Sequence, residues 1–269
     1  MLEIFTYDFM LRALYVGLVV GVVAPLIGTF LVAKRYSLIA DSLAHVSLAG
    51  VALGALLGVS PLLGALVVSV VAALVIEKLR SGRHVTAEVA LAMFLSSGLA
   101  LAVVLVGLSH KVDIDLFAYL FGSITTVTTG DIWIVSILGA AILGTIGLLF
   151  KQLTYVSFDE EQARASGLKA TLINQVLMLL AAATVVLSLR IVGGLLIGAL
   201  TVIPVAAAAQ LANGFRQTMR YAVLFGAASA FIGLFLAFYL DLAAGGTIVL
   251  TALGLFFASL GVRAKRRAP

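Results

Sequence analysis

Apolar runs near or above 20 residues follow one another along this whole sequence, and each is long enough to carry a helix across the hydrocarbon core of a bilayer. Only 11% of the residues are charged and 63% are hydrophobic, whereas soluble domains carry about a quarter charged residues. The chain is expected to be an all-α, polytopic membrane protein forming a single domain over residues 1–269, with no stretch left for a soluble one.

Spans are expected at Met10–Ala33, Leu38–Gly58, Pro61–Glu77, Thr86–Leu108, Asp131–Phe150, Thr171–Leu189, Ile191–Leu211, Tyr221–Leu240 and Gly246–Val262. The first is preceded by acidic residues and no basic n-region, so it does not read as a cleaved signal peptide. Between the fourth and fifth, Val112–Thr129 ("VDIDLFAYLFGSITTVTT") carries two aspartates and five Thr or Ser. It reads as a re-entrant or interfacial segment, which gives eight or nine crossings plus one short element.

The basic residues agree. With nine crossings and an outside N-terminus, Lys34, Arg35, Lys78, Arg80, Arg83, Lys151, Arg164, Lys169, Arg216, Arg220, Arg263, Lys265, Arg266 and Arg267 share one side, 14 of 17 in all. Arg12, Lys111 and Arg190 fall opposite. That bias marks the crowded side, and the C-terminus with it, as cytoplasmic, and it accounts for the net charge of +5 without nucleic acid. A full crossing by Val112–Thr129 would divide the basic loops between two sides.

Within the second span, "DSLAHVSLAG" holds Asp41 and His45, four residues apart and therefore on one helix face. An aspartate at that depth costs about 2.5 to 3.5 kcal/mol on insertion scales. Two readings are open. Asp41 caps the helix and His45 donates to a neighbouring carbonyl, or the two bind a cation or relay protons. Cysteine is absent, so any metal site here draws on His, Asp and Glu. A carboxylate and an imidazole suit zinc or manganese, but two ligands are too few, and a twofold axis would supply two more. Ala44, Ala49, Gly50, Ala52 and Gly54 are small enough to let a neighbouring helix close in.

Two further elements stand out. The polar stretch "SFDEEQARASGLKA" reads either as a solvated connector or as a short helix, with Ser157 and Glu160 in a capping-box pattern and Gly167 as its stop. In the second reading it docks a soluble partner, because the chain has no G-x-x-x-x-G-K-[ST] phosphate loop of its own. In the seventh span, Pro204 removes a backbone bond and frees the Leu200 carbonyl beside Thr201, making either a kink or an ion-exposed break. His110, Asp113 and Asp115 read as an exposed loop or an entry vestibule, His84 as a loop residue, and Asp241 as a solvated helix end.

Taken together, these segments resemble the permease subunits of bacterial zinc and manganese ABC transporters. The resemblance rests on "DSLAHVSLAGVALG" (41–54), "DLFAYLFGS" (115–123), "FDEEQARASGL" (158–168), "LTVIPVAAA" (200–208) and "FYLDLAAGGTIVL" (238–250), in that order. It implies a homodimer with a type II importer-like arrangement in the bacterial cytoplasmic membrane, two ATPase subunits and an extracytoplasmic metal-binding protein. It also implies that Asp41 and His45 contact the transported Zn2+ or Mn2+. Residues 157–168 would include the coupling helix, with Phe158, Asp159, Glu160, Glu161, Ala163, Arg164 and Gly167. The chain would perform no covalent chemistry and hold no cofactor, since ATP belongs to the partner. "AHVSLAGVALG" is closer to zinc permeases than to manganese ones, which often carry a proline here. The competing class is a proton-coupled secondary transporter acting without an ATPase; an intramembrane hydrolase lacks its H-E-x-x-H signature.

Overall fold

The computed structural model describes residues 6–82, 85–108, 116–125 and 127–267. His84, His110, Asp113 and Asp115 lie outside them. Eleven helices are found among the described residues: α1 (Asp8–Ala33), α2 (Ile39–Leu56), α3 (Pro61–Ser81), α4 (Ala87–Leu108), α5 (Leu116–Phe121), α6 (Thr129–Phe158), α7 (Glu160–Ala165), α8 (Ala170–Ser188), α9 (Ile197–Leu211), α10 (Phe215–Leu240) and α11 (Ala244–Arg267). Eight are long and apolar enough to cross a bilayer, and α9 is a shorter apolar helix. The expected all-α membrane architecture is present.

Burial sorts the spans into an inner and an outer set. The apolar cores of α1, α2 and α8 are 67%, 72% and 67% buried, whereas those of α4 and α6 are only 22% buried. Outward faces stay apolar, with Trp133, Ile137 and Leu148 on α6 and Val67 and Val71 on α3 exposed, as lipid contact requires. One cluster gathers α2, α3, α4 and α8; the other sets α1 against α6, α9 and α10, with α11 on α9 and α10.

Small residues let these helices meet at backbone distance, as in packed membrane bundles. A side chain on Gly50 would run into the backbone of Gly64 on α3, and one on Gly21 into Gly226 on α10. The small face of α2 is therefore packed in protein, with Ala44, Ala49, Gly50, Ala52 and Gly54 all buried.

Ion pairs fix which ends lie together. Lys34 at the end of α1 and Arg80 at the end of α3 both meet Glu160 of α7, at 3.4 and 3.2 Å. At the other end, Arg190 pairs with Asp131 at 3.6 Å. Lys34, Arg80 and Arg164 were expected on one side and Arg190 opposite, and the structure places them so.

Two expectations need correction. The fifth span does not end at Phe150: α6 runs to Phe158, with non-helical torsions at Leu149. Its start is fixed by a reciprocal cap in which the Asp131 amide donates to the Thr128 hydroxyl and the Thr128 amide to the Asp131 carboxylate. The seventh span does not begin at Ile191, because residues 189–196 turn before α9 starts at Ile197. Gly193, at φ +84°, adopts the left-handed conformation that turn needs. Of the two readings open at Pro204, a kink or a break, the structure has α9 continuing through it from Ile197 to Leu211.

The turn has a partner. The amides of Gly194 and Leu195 donate to the carbonyls of Tyr119 and Leu120, and the amide of Ser123 donates to the carbonyl of Arg190. Six residues of α5 extend about 9 Å at 1.5 Å each, far short of a crossing, so α5 and its flank form a short packed element. Irregular backbone beside membrane helices is tolerated when its polar groups are satisfied in this way.

Candidate functional site

Asp41 and His45 project one turn apart from the start of α2. No side chain caps that helix, so the capping role open to Asp41 is not taken. The His45 Nδ1 is buried and without a hydrogen-bond partner, so the carbonyl contact open to His45 is not made at that atom. An imidazole nitrogen left open beside a carboxylate retains its lone pair or proton for a ligand.

The surroundings hold this pair in place. The Ser42 hydroxyl donates to Leu91 O on α4 at 2.9 Å, tying the first turn of α2 to that helix. Gly98 of α4 lies against the backbone of His45 and Val46. On the far side, the Asp41 carboxylate occupies the space where Gly198 lacks a side chain. Gly198 belongs to the first turn of α9, so Asp41 stands between the N-terminal turns of α2 and α9, where helix dipoles favour a negative charge. No group of three or more His, Cys, Asp or Glu that could hold a metal occurs among the described residues.

The residues read from the seventh span take other positions. Leu200, Thr201 and Pro204 are buried. The Thr201 hydroxyl donates to Ile197 O at 2.8 Å, and its carbonyl packs against Gly28 of α1. The member of α9 that meets Asp41 is Gly198, one of three nearby glycines that the sequence could not tell apart.

At the basic end, the polar stretch forms α7, a helix of six residues. Its cap is Asp159 and not Ser157: the Asp159 carboxylate accepts from the Gln162 amide at 2.8 Å, while Ser157 is buried within α6. Phe158 ends α6, 63% exposed, with its ring edge-on to Phe215. Glu161 and Arg164 are exposed and Ala163 is buried. Gly167, at φ +84°, closes the turn after α7 as its position predicts.

Glu160 is the charged centre of this end. It receives the Lys34 ammonium and the Arg80 and Arg164 guanidiniums, at 3.4, 3.2 and 2.6 Å. Burial alone would raise its carboxyl, but the Asn174 amide, Arg80 and Lys34 outweigh that and hold it down at about 2. Lys34 is itself pulled below the usual lysine range, chiefly by burial, with Glu160 acting against that. Lys34 also donates to Asn174 Oδ1 at 2.7 Å and Val156 O at 3.2 Å. Arg80 grips Glu77 with two hydrogen bonds of 2.9 and 2.6 Å, and Glu77 is 1% exposed.

Comparison with known proteins places this geometry. Residues 6–263 match the model of the ABC 3 transport family. The manganese import system permease protein ScaB of Streptococcus parasanguinis is 34% identical, over 97% of this chain and 93% of its own length. The high-affinity zinc uptake system membrane protein ZnuB of Haemophilus influenzae is 31% identical, over 94% of this chain and 97% of its own length. The solved structure of PsaBC from Streptococcus pneumoniae in complex with Fab superposes with a TM-score of 0.84 at 36% identity, covering 94% of this chain and 91% of that one. A match over nearly the whole length, carried by sequence and fold alike, makes this chain a multi-pass membrane permease of the ABC 3 transport family.

Proposed function

We propose that the chain is the permease subunit of an ATP-driven importer for a divalent transition-metal ion, with Asp41 and His45 as ligands to the ion in transit. The observation that carries this reading is the buried, unpartnered Nδ1 of His45 one turn from a carboxylate that caps nothing. The donor set fits a first-row divalent cation, for which imidazole and carboxylate are ordinary ligands.

Two ligands leave such an ion under-coordinated, so the working unit is a homodimer in which each copy supplies an Asp and a His. The basic end, with the C-terminus, faces the cytoplasm. There α7, flanked by Phe158 and Gly167, seats on one of two ATPase subunits. The opposite end receives the ion from an extracytoplasmic metal-binding protein. ATP is hydrolysed by the partner, and this chain's residues replace part of the ion's hydration shell.

Zinc is favoured by "AHVSLAGVALG", which lacks the proline of many manganese permeases. Manganese is favoured by the name of the relative ScaB. Uptake of each ion is therefore measured in vesicles holding the complete complex. Asp41→Ala and His45→Ala are expected to abolish uptake at normal expression, and unchanged uptake overturns the reading. Transport driven by a pH gradient with no ATPase present would replace it with proton-coupled exchange.

A further inference from the structure

Lys34, Glu77, Arg80 and Glu160 come from three separate elements and meet in one buried cluster. Lys34 is the residue that ends α1, Glu77 and Arg80 lie in the last turns of α3, and Glu160 opens α7. Side-chain exposures are 6% for Lys34, 1% for Glu77, 18% for Arg80 and 19% for Glu160. Charges this sheltered from water are costly to separate, because each would be left without its counter-charge in a medium of low dielectric.

The attachments of α7 make this cluster consequential. On its N-terminal side only Asp159, in an extended conformation, separates it from α6. On its C-terminal side the chain turns through Gly167. Between these two joints Ala163 is buried, while Glu161, Gln162, Arg164 and Ala165 are exposed. Glu160 is thus the side chain that ties α7 to α1 and α3 by charge.

Both helices lead to α2, the helix that carries Asp41 and His45, whereas the residues set directly against the pair come from α9 and α4. Lys34 leads through a short turn into α2, and α3 meets α2 at the Gly50 and Gly64 backbones. We propose that Glu160 is a positioning residue, and that its ion cluster with Lys34, Arg80 and Glu77 carries displacement of α7 through α1 and α3 to α2, which carries Asp41 and His45. This rests on the reading of the chain as an ATP-driven permease and adds the route by which the ATPase stroke reaches the ion.

The test uses the complete complex in vesicles, with metal uptake and ATP hydrolysis measured on the same samples. Glu160→Gln is expected to lower the metal moved per ATP by about tenfold, the ratio being taken on assembled complex so that any change in docking or hydrolysis is divided out. Lys34→Met combined with Glu160→Gln removes the uncompensated charge, so thermal stability is expected to return while the coupling ratio stays low. An unchanged ratio in either variant overturns the proposal and leaves the cluster a structural brace.

A second measurement needs neither variant. The chain has no cysteine, so spin labels on Lys78→Cys and Gln162→Cys report the α3 to α7 distance directly. A distance that holds between nucleotide-free and ATP-bound complexes supports a rigid joint. One that changes by several ångströms overturns it. Loss of uptake in Asp41→Ala with normal coupling in Glu160→Gln would sink the joint alone, whereas uptake without any ATPase would sink the permease reading beneath it.

Discussion

The carboxylate of Asp41 fills the space that a side chain on residue 198 would need. A methyl group there would overlap the carboxylate atoms, so Gly198→Ala must push Asp41 aside or move the first turn of α9. Overpacking of this kind costs about 1 to 3 kcal/mol. Gly198→Ala is expected to weaken metal uptake by about tenfold or more while the protein still folds and assembles, a shift read from the concentration dependence of uptake. Full activity in this variant would mean that the placement of Asp41 does not matter.

Among the described residues Glu77 and Arg80 form the most sheltered ion pair, and without Glu77 the Arg80 guanidinium keeps only the Glu160 carboxylate, which Lys34 and Arg164 also contact. Glu77→Gln is expected to destabilise the solubilised protein by about 3 kcal/mol or more, the usual cost of breaking such a pair. A thermal unfolding series in detergent measures it, and an unchanged midpoint would show that Glu160 or water satisfies Arg80 without Glu77.

The acidity of Glu160 sets a pH window. Its folded value of about 2 lies below the ordinary 4.5, so its stabilising contribution is complete above about pH 4.5 and is lost as the pH falls toward 2. Protection of α7 amides from hydrogen exchange, corrected for intrinsic rates, should therefore hold from neutrality to about pH 4.5 and fall below it. The Glu160→Gln variant should lack that transition.

Gly193 combines a positive φ with close contact to the Leu120 carbonyl and the Gly122 amide. Gly193→Ala suffers both left-handed strain, about 1 to 2 kcal/mol, and a backbone clash. It is expected to loosen the hydrogen bonds joining Tyr119, Leu120 and Ser123 to residues 190–195, seen as faster exchange at Gly194 and Leu195. Gly167→Ala is the control: the same torsion applies, but no neighbour lies within 4 Å, so only the strain should appear.

The polar pair of Asp41 and His45 could be read from the sequence because charge inside an apolar run is expensive and needs a reason. Its enclosure could not. Nothing in "IVGGLLIGAL" says that Gly198, of three glycines, faces Asp41, since that depends on where the helix begins. Hydropathy counts Ile191–Leu196 as part of a crossing although the backbone turns there, because apolar content does not register a left-handed glycine. The cap of α7 was misplaced by two residues since Ser157 and Asp159 are both good cap formers, and only burial shows that Ser157 lies inside α6. The ion cluster left as local trace only the i,i+3 spacing of Glu77 and Arg80 and the i,i+4 spacing of Glu160 and Arg164. Glu160 is 126 residues from Lys34 and 80 from Arg80, and each alone looks like a solvated loop charge.

The pairing of residues 119–123 with residues 190–195 also sets a timetable for biogenesis. The earlier stretch leaves the ribosome well before its partner exists, with the Tyr119 and Leu120 carbonyls and the Ser123 amide still open. Lipid offers them no substitute. The nascent chain must therefore keep this stretch wet, or sheltered by the insertion machinery, until α8 has been threaded and the turn at Gly193 arrives to close it.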